Sequence, residues 1–402
     1  MEQNEISRGT YYLKKCIMVL RSAEFLSPLL PLGGRLAEVG IACEVMLSEE
    51  LLDAHLVTID RVSVSKTLLS AVSSGQEVGM TMHRDIKGGE EGVLYLTDDP
   101  QVYFYLTAGT WAMGDSADTL AMGNSADTLA MRDSADTLTM GNSADTLAMG
   151  DVSHRGFTDN CQPPILIYLH PGNRDADFGN AGYALEDPEE VEPEYLERVY
   201  RRCHDLPWEI LTTQHCWLRE TTEADVDSFW SMYQAPELTR YTEKLYPDLE
   251  AERSYVREYR KRFYRFYEFG VWTVLDRTSG EIVGRAGLSV REGYDLPELG
   301  FVIGDKWQGR GLATEVCRGI LKYAEELLGF TRIQVLVHED NALSLHLCRK
   351  LGFQEEAVPE GLHSTAAPST ILPPYIVEME QNGKQCRFIY MVRNAENYRA
   401  NC

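Results

Sequence analysis

Gln308-Gly309-Arg310-Gly311-Leu312-Ala313 stands between the apolar run Leu299-Gly300-Phe301-Val302-Ile303 and the helical run Thr314 to Leu328. The order reads as a strand, a glycine-bearing turn and a helix start, which aims several main-chain N–H groups and the positive end of a helix dipole at one spot. Such a spot binds phosphate. It is not a P-loop, since Gly-Lys-Ser/Thr is missing, nor a dinucleotide fingerprint, since the third glycine is missing. Taken alone, Gly309 and Gly311 could equally be a tight turn before a helix.

The downstream sequence narrows the choice. Ile333-Gln334-Val335-Leu336-Val337 reads as a short β-branched strand, followed by Asn341-Ala342-Leu343-Ser344-Leu345-His346-Leu347-Cys348-Arg349-Lys350-Leu351-Gly352-Phe353. The first motif, Gln-x-x-Gly-x-Ala, resembles the acetyl-CoA pyrophosphate loop of the GNAT acetyltransferase superfamily. The second is similar to that family's Asn-x-x-[Ala/Ser]-x-x-[Leu/Val]-x-x-Lys-x-Gly-Phe signature, and an ordered pair of motifs is far more specific than either one. The resemblance implies that Gln308, Gly309, Arg310, Gly311, Leu312 and Ala313 hold the diphosphate of acetyl-CoA. It also implies that Asn341 and Ser344 lie beside the pantetheine arm, and that a splayed main-chain N–H at Phe301, Val302 or Ile303 receives the thioester oxyanion.

Acetyl transfer from a thioester to an amine needs the amine uncharged, a donor for the developing oxyanion, and a proton for the departing thiolate. In several branches of the family a glutamate at the position of Glu298 removes the amine proton; a carboxylate at a strand start is otherwise a solvated bystander. His338 and Glu339 are alternatives at the end of the next strand. Cys348 stands where the family often has a tyrosine that protonates the CoA thiolate. A thiol of ordinary pKa, about 8.5, could donate there, and the competing reading is a buried structural cysteine. The phrase Pro297-Glu298-Leu299-Gly300-Phe301, Ser344 and the missing tyrosine together resemble the branch of ribosomal-protein N-terminal alanine acetyltransferases. The implied activity is transfer of an acetyl group to a primary amine, on a protein N-terminus or a small molecule. A non-catalytic acetyl-CoA-binding regulatory module and a scaffold built on the repeats described below are the rival readings.

The elements that must position these groups can be traced from about Cys216 to Asn394. Cys216 to Glu220 reads as a first strand, and Thr221-Thr222-Glu223 signals a helix before Val226, Phe229, Trp230 and Tyr233. Leu249 to Phe269 is helical, with aromatic residues and cations together: either a cleft wall that meets an acidic substrate, or core aromatics with solvated cations. Val271 to Leu275 and Ile282 to Leu288 read as strands joined by a polar turn, and Asn382-Gly383 as a hairpin turn near the end. The element order is β-α-α-β-β-β-α-β-α-β-β, giving an α/β GNAT fold over residues 214–402 with a mixed, twisted sheet flanked by helices. Residues 355–374 read as a long loop.

Residues 1–213 read as a Rossmann-like α/β accessory domain. Strands are expected at 91–99, at 165–170 and at 183–185, and helices at 100–107 and 193–204. This half resembles a haloacid-dehalogenase-type domain in strand order alone and lacks that family's Asp-x-Asp nucleophile motif. Thr97-Asp98-Asp99 could hold a magnesium ion at a strand end, but without a nucleophile a helper or dimerisation domain, making a homodimer, is the expectation. Residues 113–151 form a nonapeptide array whose Met113 and Ser116 stand where a calcium-binding β-roll needs glycine. A flexible insertion is expected there.

Lys and Arg number 38 against 62 Asp and Glu, a net charge of −24. Such an excess disfavours nucleic acid and anionic membranes and tolerates cationic amines. Acidic runs such as Glu186 to Glu194 read as solvated faces. Nine cysteines without a Cys-x-x-Cys pair point away from a disulfide framework or a metal site and fit a reducing cytoplasm. The apolar stretch Cys16 to Leu32 is interrupted by Arg21 and Glu24, unlike a signal segment.

Overall fold

The structure is a computed structural model that describes residues 11–48, 57–59, 80–82, 92–107, 164–179, 181–359 and 373–395. The nonapeptide array and residues 360–372 of the long connection lie outside the described residues. Two compact units divide at Trp208/Glu209.

In the first unit five strands are mutually parallel: β1 (Lys15–Leu20), β2 (Ala42–Leu47), β3 (Val93–Thr97), β4 (Ile165–Tyr168) and β5 (Ala184–Leu185), in the order β2-β1-β3-β4-β5. Alternate residues feed two cores. Cys16, Met18 and Leu20 pack with Leu32 and Leu36 of α1 (Leu30–Glu38) and with Leu196 and Val199 of α3 (Pro193–Cys203). Ile17 and Val19 pack instead with Val102 and Leu106 of α2 (Pro100–Thr107). Apolar residues on both faces are what a parallel sheet covered by helices on each side demands.

At the carboxyl ends of these strands the carboxylates of Asp98 and Asp99 are hydrogen-bonded by the chain itself. Asp98 Oδ1 accepts the Arg21 N–H at 2.7 Å and its Oδ2 lies 3.2 Å from His170 Nε2. Asp99 Oδ1 accepts the Gln101 N–H at 2.9 Å at the start of α2. Burial pushes the Asp98 carboxyl up, opposed by those hydrogen bonds. Asp98 thus ties strand ends together, and Asp99 caps the start of α2.

The second unit is built on strands β6 (Glu209–Thr212), β7 (Cys216–Glu220), β8 (Val271–Asp276), β9 (Ile282–Ser289), β10 (Glu298–Ile303), β11 (Arg332–His338), β12 (Gln354–Glu355), β13 (Ile376–Gln381) and β14 (Lys384–Asn394). Their order is β12-β14-β11-β10-β9-β8-β7-β6, with β13 paired to β14. All neighbours are antiparallel except β10 and β11. The edge strand β6 was not anticipated; it pairs with β7, so the C-terminal sheet starts before residue 214.

Thr222 and Asp225 form a reciprocal capping box that starts the helical segment leading into α4 (Val226–Met232), while Asp225 also takes a bidentate ion pair from Arg219 at 2.7 Å. Asp248 caps α5 (Leu249–Tyr259), which continues through a π turn at Arg260–Tyr264. Its aromatic residues are largely internal: Tyr259 and Phe263 stack at 4.7 Å, and Tyr264 is buried. The cations face outward, Arg257 pairing with Glu223 and Arg262 with Glu258. That is the core-and-solvent reading of this amphipathic stretch. Gly284 and Gly287 let β9 lie tightly between its neighbours, since a Cβ there would sit 2.0 Å from Val302 O and 2.1 Å from Gly270 O.

Candidate functional site

β10 and β11 touch at one point. β10 pairs with β9 at six consecutive positions, from Glu298 opposite Ser289 to Ile303 opposite Gly284. Towards β11 it has one register pair, Glu298 with Gln334, together with the Gln334 N–H bonded to Pro297 O at 2.9 Å. Beyond that point the strands part, and the outward main-chain groups of β10 have no strand to satisfy them. A cavity of about 220 Å³ occupies the gap, lined by Gly300, Phe301 and Val302 on one side and Val335, Val337 and His338 on the other.

After β10 the chain makes a short turn, Asp305–Trp307, and enters α6 (Leu312–Glu326). Gln308 pins this turn, its Nε2 donating to Ile303 O at 2.8 Å. Gly309 and Gly311 adopt φ of 71° and 80°, the left-handed region that costs other residues about 1 kcal/mol or more. The Glu315 N–H bonds back to Gly311 O, but among the described residues no main-chain partner is recorded for the N–H groups of Gly309, Arg310, Gly311, Leu312, Ala313 and Thr314. The Arg310 guanidinium lies over the Trp307 ring at 4.9 Å. Unsatisfied donors, a helix N-terminus and an exposed cation at one place are the physical requirements for holding a diphosphate.

α7 (Ala342–Lys350) closes the other wall. Asn341 caps it, with Oδ1 accepting the Ser344 N–H at 3.1 Å, and both residues line the cavity. Cys348 also borders the cavity but is fully buried, and burial pushes its thiol up to about 12. Such a thiol is a poor proton source for a CoA thiolate of ordinary pKa near 8.5. Burial beside Cys317 favours the structural reading of Cys348 over the general acid.

Glu298 is equally committed. It is 8% exposed and held by both Arg291 nitrogens, Nε to Oε2 at 2.5 Å and Nη2 to Oε1 at 2.9 Å. A bidentate pair of this kind leaves both carboxylate oxygens engaged. Glu339 is likewise paired, to Arg387 at 2.9 Å. His338 lines the cavity with its ring 5.1 Å from that of Tyr241.

Residues 215–354 match the family described as "Acetyltransferase (GNAT) domain". The C-terminal region is a GNAT acetyltransferase domain. Among curated relatives of this GNAT domain, an uncharacterized N-acetyltransferase of Bacillus subtilis is 29% identical over 157 residues, covering 37% of this chain and 85% of that protein. The [ribosomal protein uS5]-alanine N-acetyltransferase of Escherichia coli is 33% identical over 109 residues, 27% of this chain and 54% of that protein. The chain therefore spans about half the length of the latter relative. A solved acetyltransferase of the GNAT family from Bacillus anthracis aligns over 47% of this chain and 99% of its own, with 17% identity and a TM-score of 0.36. The GNAT domain and its N-acetyltransferase relatives make this protein an N-acetyltransferase.

Of the residues the sequence singled out, Phe301, Val302, Asn341 and Ser344 line the cavity, while Ile303 and the loop 308–313 follow in the chain outside its lining. Sequence reading missed Glu243 and Arg291. Glu243 lines the same cavity and burial raises its carboxyl to about 7, with Arg291 opposing and Glu298 adding to the rise. Neither residue belongs to a motif or a regular element.

Proposed function

We propose that the C-terminal domain moves the acetyl group of acetyl-CoA to a primary amine, on a protein N-terminus or a small molecule, by direct attack on the thioester. The observation that carries this is the parting of β10 from β11 beside a helix start rich in unpartnered amides. Diphosphate binds the N–H groups of Gly309 to Thr314, so that the pantetheine arm runs between the parted strands past Asn341 and Ser344. The thioester carbonyl then meets the outward main-chain N–H of Phe301 or Ile303, which is fixed in place before charge develops. No side-chain acid is assigned to the departing thiolate; water protonates it.

The uS5 relative acts, by its name, on a protein N-terminal alanine, so that acceptor class enters the test beside small cationic amines. Acetyl-CoA is incubated with the full chain and either alanine-terminated hexapeptides or spermidine, and free thiol and acetylated product are measured together. Equal amounts of both, only when amine is present, are expected. A thioester that stays intact with every amine while CoA still binds would make the domain a binding module.

A further inference from the structure

Three carboxylates line the cavity, Glu243, Glu252 and Glu298. Two are engaged. Glu298 is clamped by Arg291, and Glu252 accepts the Tyr246 N–H at 3.0 Å and lies 3.9 Å from Arg285 Nη1 with both partners buried. Among the described residues no ion pair is recorded for Glu243, which is half-buried on the segment between Arg240 and Leu249. Among the described residues Glu243 is thus the cavity carboxylate with no recorded ion pair, and Tyr241 and Tyr255 line the same cavity.

We propose that Glu243 is the general base of the transfer and the group that receives the acceptor as an ammonium ion. The inference rests on the transfer reading above. Glu243 takes one proton from the bound ammonium, and the neutral nitrogen attacks the thioester carbon. A carbon–nitrogen bond forms, the carbon–sulfur bond breaks with its electron pair leaving on sulfur, and the second nitrogen proton leaves through water while water supplies the proton that makes free CoA thiol. Glu243 then releases its proton to solvent.

The charge setting suits that task. Burial is the larger influence on the Glu243 carboxyl, and the value of about 7 leaves it both basic enough to accept and ionised enough to act at neutral pH. Arg291 and Glu298 face it from β10 and the turn before it; Tyr233 and Tyr255 feel its charge from the helical layer. Lys244, Glu252 and Arg285 share the cavity wall, with His338 across it on β11.

The test is the pH dependence of kcat/KM for the full chain, with whichever of the alanine hexapeptide or spermidine it acetylates. Wild type should lose rate below an apparent pKa near 7. E243Q should be at least about a hundredfold slower at pH 8, the lower range for a lost general base, and should lack that limb, while CoA affinity by calorimetry stays unchanged. E243D should restore part of the rate and move the limb, and it carries the test if E243Q does not fold. A slow E243Q that keeps the limb, or one at wild-type rate, or an E243D with an unmoved limb, overturns the assignment and leaves acetyl transfer standing. Failure of wild type with every amine overturns the transfer reading and this inference with it.

Discussion

Glu298 stands opposite Gln334 at the single register position that joins β10 to β11. Everything beyond that pair diverges, so one pairing decides where the sheet closes and where its main-chain groups become available to a ligand. The residue that holds the joint also carries the bidentate clamp from Arg291, which places a part-buried ion pair where the two strands meet.

Gly311→Asp puts a carboxylate and a Cβ at a φ of 80° at the helix start. No atom lies within 4 Å of a Cβ there, so the effect is backbone strain and charge against the diphosphate rather than a clash. CoA affinity measured by calorimetry should fall at least about tenfold, equivalent to about 1.4 kcal/mol. Unchanged affinity would remove the loop from the site.

Arg291→Gln and Glu298→Gln should move the acid limb of kcat/KM in opposite directions. Arg291 holds the Glu243 carboxyl down and Glu298 pushes it up; losing the cation therefore shifts the limb to higher pH, and losing the anion shifts it lower. Arg291→Gln should also cost about 3–5 kcal/mol of stability by stranding a buried carboxylate. Limbs that move together would contradict this charge arrangement.

Cys348→Ala should leave the pH profile of kcat intact and lower stability by about 1 kcal/mol, the scale of one buried methylene-sized group. Loss of an alkaline limb in this variant would reinstate the thiol as proton donor.

The loop, the second motif and the hairpin were legible because their demands are local. Asn382 and Gly383 take φ of 51° and 75°, as an Asn-Gly hairpin turn requires. Gly309 and Gly311 take the positive φ that their turn needs. Glu243 was illegible because its role is made by distant elements that bury it, and no spacing rule records that. β1 was missed in the first unit because an apolar run cut off by Arg21 was weighed only as a possible leader, whereas Lys15–Leu20 is the buried strand between β2 and β3. The full burial of Cys348 was illegible for the same reason: a position borrowed from a motif says nothing about solvent.

A stability measurement separates Glu243 from its neighbours without any substrate. Its carboxyl is raised in the fold, so the ionised form is the penalised one. The stability present below the ordinary carboxylate range is lost as pH rises through about 7. Glu243→Gln cannot ionise, so its Tm relative to wild type should climb between pH 5 and pH 8 (about the span of that linkage). A constant difference across that range would place Glu243 in open solvent.

Hydrogen exchange of the segment 308–315, with and without CoA, reads out diphosphate binding by the loop itself. The amides of Gly309 to Thr314 should exchange at least about tenfold more slowly once CoA is bound, as newly hydrogen-bonded groups do. CoA bound at saturation with those amides exchanging as fast as before would contradict it.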